Sequence, residues 1–112
     1  VALASTTQPY TSILLGEMLA TSDLPGGVVN LLTGQRGELI PTFATHAHLR
    51  GLAAVANLEE RKTLQTGAAD SVKRLKFIPS ETPTDWFAEK SQGLYEIRDH
   101  LESKTTWHPI GA

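Results

Sequence analysis

The chain of 112 residues contains no cysteine. That excludes disulfides, thiolate metal ligation and a cysteine nucleophile. Aromatic residues are sparse at 6%, and there is a single methionine. No apolar run approaches the ~18 residues of a membrane-spanning helix, and no basic-then-apolar leader is visible. Neither sign of charge dominates: 10 Lys and Arg stand against 12 Asp and Glu, a net charge of -2. Such a balance leaves no basic footprint for nucleic acid. What is there, 40% hydrophobic and 20% charged residues, is an ordinary globular composition, and the absence of cysteine fits a cytoplasmic protein. A chain this long buries about two-thirds of its unfolded surface, enough for one modest core.

Val1-Ala2-Leu3-Ala4 reads as a strand. A start inside a strand predicts a piece of a longer chain. Pro9 fits the first turn of a helix, where its missing N–H costs nothing. Tyr10, Ile13, Leu14, Leu15, Met18 and Leu19 follow at helical spacing. The breadth of that stripe suits a helix lying on a sheet. Asp23 to Gly27, with Pro25 and two glycines, ends it. Val28–Thr33 is a β-branched and leucine run, the pattern of a strand covered on both faces. A second helix is expected over Leu39 to His46, with Pro41 in its first turn. Leu52–Val55 reads as a third strand and Glu59 to Asp70 as a polar helix weakened by Gly67. Lys73–Ile78 reads as a fourth strand whose charges point to an edge. Asp85–Ser103 reads as a helix interrupted at Gly93, and Thr105–Ile110 as extended chain, because Pro109 biases His108 away from helix. Strands alternating with helices predict an α/β fold: a small Rossmann-like parallel sheet, βαβαβαβ, followed by a helix and an extended C-terminal arm. Residues 1–79 form the partial Rossmann-like unit, 80–84 a linker, and 85–112 the helix and arm.

Few residues carry chemistry. Gly34-Gln35-Arg36-Gly37 lies between a strand and a helix. Backbone N–H groups at such a turn can hold a phosphate, but two glycines also make an ordinary turn. His46 and His48, two apart, point to different sides of a helix and make a poor metal pair, so no metal site is expected. His100 and His108 lack a serine in a nucleophile-elbow context. No catalytic residue is assigned. Arg61, Lys62, Lys73, Arg74 and Lys76, interspersed with Glu59, Glu60 and Asp70, read as a solvated face. Trp86, Phe87, Leu94, Tyr95, Ile97 and Leu101 read as one amphipathic helix, or two short ones, packing on this chain or a neighbour.

The helix stop, apolar run and turn of Leu24–Gly34, with Gln8-Pro9-Tyr10-Thr11 upstream, resemble the cofactor-binding domain of aldehyde dehydrogenases. In that family the first strand ends in Lys-Pro-Ser-Glu, whose lysine and glutamate hold the adenosine ribose of NAD or NADP. Registered on Pro9, Leu3 falls on the lysine, Ser5 on the serine and Thr6 on the glutamate. Ala44-Thr45-His46 looks like the family's Ala-Ser-His before the next strand. Ala56 and Asn57 then stand where the family places the glycine and serine facing the pyrophosphate, and Glu59 alone matches. Lys76 to Ser80 carries nothing of the family's strand with the catalytic glutamate. Tyr95 through Ile110, above all Glu102 to Trp107, looks like the C-terminal arm that in the family forms a strand at the oligomer interface.

The resemblance implies a truncated or degenerate aldehyde-dehydrogenase-like chain lacking the thiol-bearing domain. Its cofactor positions Leu3, Thr6, Ala56 and Asn57 are altered, and Gly34 and Gly37 are its only other turn candidates. It further implies a structural or oligomerisation role, as a homo-oligomer or as a subunit of a larger dehydrogenase-like assembly. No nucleic-acid or membrane partner is expected. The alternative is a segment of a working NAD(P)-dependent aldehyde dehydrogenase whose thiol lies elsewhere.

Overall fold

Pro9 places its carbonyl where it accepts the first intrahelical bonds, from Ser12 and Ile13, and helix α1 follows over Tyr10–Ala20. This computed structural model describes residues 1–79 and 85–111. Strand β1, Ala2–Leu3, pairs in parallel with β2, Leu31–Leu32. Helix α2 covers Arg36–Thr45, β3 Gly51–Val55, α3 Leu58–Ala69 and β4 Arg74–Ile78. A 3-10 turn at Glu89–Gln92 and a short helix α4, Leu94–Arg98, follow.

The architecture is mixed α/β with parallel pairing. Among the described residues no continuous βαβαβαβ sheet is present: β1 pairs with β2 and β3 with β4, as two separate two-stranded sheets. Free edges of β1 and β3 instead line one cleft of about 490 Å³.

The core sits on β3–β4. In register, Leu52 lies beside Leu75 and Ala54 beside Phe77. These four surround the buried cluster of Ile40 and Ala44 from α2, Ala56, and Leu64 from α3. Leu64 is 2% exposed. Gly67 is not merely a weak point of its helix. A Cβ there would lie 2.7 Å from the Cβ of Ala44, so the bare glycine is what lets α2 and α3 touch.

Several expectations are corrected. The strand expected at Val28–Thr33 is only Leu31–Leu32, and it is not covered on both faces. Gly27 adopts a positive φ of 85°, Val28 N–H bonds back to Pro25, and the Asn30 amide donates to the Gly27 carbonyl at 2.8 Å. That turn consumes the first half of the apolar run. Helix α2 starts three residues earlier than expected, so Pro41 stands inside it rather than in its first turn. The apolar stripe of α1 lies on no broad sheet: none of its residues is buried, and Tyr10 is 73% exposed. A two-residue strand offers too little surface to cover it.

The interruption expected at Gly93 does separate the 3-10 turn from α4, but regular helix covers only Leu94–Arg98 of the Asp85–Ser103 span. Trp86, Phe87, Leu94, Tyr95, Ile97 and Leu101 are all exposed. Thr105–Ile110 has no regular secondary structure, with Trp107 88% exposed. The linker expected at 80–84 lies outside the described residues.

Candidate functional site

In parallel α/β structures ligands sit beyond the carboxyl ends of the strands, where helix N-termini converge. Here that place lies after β2 and β3, at the starts of α2 and α3. Gly34, with φ of 156°, swings the chain out of β2. Its missing Cβ also leaves room for Leu39, whose Cδ1 would lie 3.1 Å away. Gly37 lies within the first turn of α2 rather than in the loop. The Gly34–Gly37 turn is therefore half helix.

Two charged side chains occupy the convergence. Arg36 opens α2 and reaches across to α3. Its Nε lies 2.8 Å from Glu60 Oε1, its Nη2 3.3 Å from Glu60 Oε2, and it also donates to the Val55 carbonyl at the end of β3. Glu60 closes a capping box. Asn57 Oδ1 accepts from the Glu60 N–H at 2.9 Å, and Glu60 Oε2 accepts from the Asn57 N–H at 3.0 Å. The sequence Asn57-Leu58-Glu59-Glu60 is itself the signature of this cap. The Arg36 hydrogen bond, followed by the Asn57 amide, holds the Glu60 carboxyl below its ordinary value.

A depressed folded-state pKa adds stability that is fully present above the unfolded carboxyl value, about 4.3. It is lost as pH falls through the lowered folded value. Glu60→Gln removes that linkage. Its urea midpoint is expected to fall less steeply than wild type from about pH 5 to pH 3. Parallel acid limbs would contradict it.

The residues singled out by family register part company here. Leu3, half-buried, lines the cleft between β1 and β3 together with Arg36 and Val55. Thr6 is exposed on the loop after β1. Ala56 is buried in the core, and Asn57 is spent on the helix cap. Ser5 accepts the Gln8 N–H at 3.1 Å.

His46 and His48 do not diverge, because α2 ends at Thr45 and the chain beyond it turns. Their ring centroids are 5.9 Å apart, edge to face. Among the described residues no cluster of three or more His, Asp or Glu could hold a metal.

The basic cluster is not one solvated face. Lys62 is exposed, but Arg61 stacks 5.2 Å over Phe77 and donates to the Ala56 carbonyl. Lys73 lies outside β4 and is 8% exposed. Its ammonium caps the end of α2, donating to the carbonyls of His46 at 2.8 Å, Ala44 at 2.9 Å and Phe43 at 3.3 Å. A Schellman motif delivers it there: Lys73 N–H bonds to Ala68 and Val72 N–H to Ala69. Val72 holds the left-handed position of that motif at φ 48°, a strained one for a β-branched residue. No sequence pattern marks Lys73, because its partners are carbonyls 27 to 30 positions away.

Among the described residues, fold and site define a small α/β arrangement of two parallel strand pairs, with an Arg36–Glu60 ion pair at the strand ends. No protein-family model, curated protein or solved structure matches the chain. No helix among the described residues is long and apolar enough to cross a membrane.

Proposed function

We propose that the chain is an aldehyde-dehydrogenase-like scaffold, degenerate at the cofactor positions, that does no chemistry alone and serves a cytoplasmic assembly by association. One observation carries this reading most. The N-terminus of α3, where a pyrophosphate would gain its backbone donors, is filled by the side chains of Asn57 and Glu60. A dinucleotide placed there would meet two carboxylates, Glu59 and Glu60, in the first turn. Like charge at a helix N-terminus already stabilised by its own acid leaves little for a phosphate to gain. Leu3 offers no donor to a ribose, and the chain has no cysteine for a thiohemiacetal.

The association half of the reading rests on exposed apolar surface. Tyr10, Ile13, Leu14 and Met18 on α1, together with Trp107 and Ile110 in the tail, are all half-exposed or more, apart from Leu14 at 44%. Such surface in one chain is a mark of interaction.

Calorimetry with NAD and NADP, followed by sedimentation velocity of the same sample, tests both halves. The expected result is no saturable heat at ligand concentrations up to tens of micromolar, and a species larger than monomer at ~100 µM, where even weak interfaces populate. A dissociation constant of tens of micromolar or tighter refutes the first half. A monomer at that concentration refutes the second.

A further inference from the structure

The β3–β4 pair has two faces. The inner one, Leu52, Ala54, Leu75 and Phe77, is covered by α2 and α3. By register the outer one carries Gly51 beside Arg74, Ala53 beside Lys76, and Val55 beside Ile78. Parallel strands are ordinarily covered on both sides. On this outer side the cover is α4 and the turn after it.

Ion pairs and hydrogen bonds tie the two together. Lys76 Nζ lies 2.6 Å from Glu96 Oε2 and 2.8 Å from Asp99 Oδ2. Arg74 donates to the Leu101 carbonyl and, at 3.5 Å, to that of His100. No residue of α4 is buried. An open cleft of about 330 Å³, lined by residues including Gly51, Arg74, Lys76, Asp99 and His100, lies at this contact.

Two physical consequences follow. A helix of five residues is far below the ~12–15 that hold a helix in isolation, so α4 is helical only while docked. Its docking rests on exposed charge pairs rather than apolar burial, and such pairs weaken as salt shortens the screening length to ~3 Å at 1 M. Glu96 and Asp99, three positions apart, present both carboxylates on one side.

We propose that the outer β3–β4 face is a docking site for a short helix bearing two carboxylates three positions apart, filled in cis by residues 94–101, with Lys76 as the latch of a salt-releasable strap. The strap is tied to β4 by charge, and its release leaves Arg74 and Lys76 side by side next to Gly51 and Ala53.

NMR-detected hydrogen exchange of the Asp99, His100 and Leu101 amides in the full chain tests this. These amides bond to Tyr95, Ile97 and Arg98 within the strap, so their protection reports docking. Lys76→Met is expected to speed their exchange about threefold or more, with β3 amides unchanged and Lys76→Arg restoring protection. Raising NaCl to about 1 M should do the same to the wild-type chain. Unchanged strap exchange in Lys76→Met, or in the wild type at high salt, overturns the proposal. If Lys76→Met loosens β3 as well, the wild-type salt titration decides alone.

Discussion

Gly67→Val is expected to destabilise the chain by about 2–3 kcal/mol, a large share of the ~5–15 kcal/mol that holds a domain folded. The cause is contact between helices. A Cβ at residue 67 would lie 2.7 Å from the Ala44 Cβ, 3.1 Å from the Ala44 carbonyl carbon and 3.3 Å from Thr45 Cγ2. Two of those atoms move only if α2 itself moves, and α2 carries Ile40 and Ala44 into the core. Valine is a better helix former than glycine by only a few tenths of a kcal/mol, too little to offset separating the helices.

Gly37→Ala is the matched control. Nothing lies within 4 Å of a Cβ there, and the residue is helical without a positive φ. It is expected to stabilise by about 0.5–1 kcal/mol. Urea denaturation of both variants reads the two signs. A Gly67→Val chain as stable as wild type would mean that α2 and α3 do not meet at Ala44.

Lys73→Met is expected to cost about 2–3 kcal/mol. Methionine keeps the length and apolar stem but removes the ammonium shared by the carbonyls of Phe43, Ala44 and His46. The last carbonyls of a helix have no intrahelical donor, and the negative end of the α2 dipole adds to their hold on a cation. Shedding the desolvation of a buried charge returns part of this loss, which keeps the figure below the sum of three bonds. Hydrogen exchange should localise the damage to the last turn of α2, where the His46 N–H bonds to Thr42 at 2.9 Å. A neutral Lys73→Met, with that amide still protected, would remove the cap from the account of this fold.

Both positions show why a linear reading misjudges them. Gly67 scores as a helix weakener because propensity considers one helix at a time. Its value appears only when Ala44 arrives from another helix. Lys73, in a run with Arg74 and Lys76, reads as part of a solvated edge. A strained turn at Val72 sends it inward while the next two basic residues stay with the strand.

Local patterns determined a good deal by themselves. The bounds of α1, β3, α3 and β4 lie within a residue or two of the periodicity and stop signals, since each is set by nearest-neighbour chemistry. The capping box at Asn57–Glu60 is equally local. Strand pairing and the fate of long side chains were decided only by the tertiary structure. An apolar run such as Val28–Thr33 carries the same letters whether covered or exposed. The Gly27 turn and a two-residue partner strand leave most of it bare. Arg36 meets Glu60 across 24 positions and Lys76 meets Glu96 across 20. Contacts at that separation depend on how the chain closes its loops, which no window of neighbouring residues encodes.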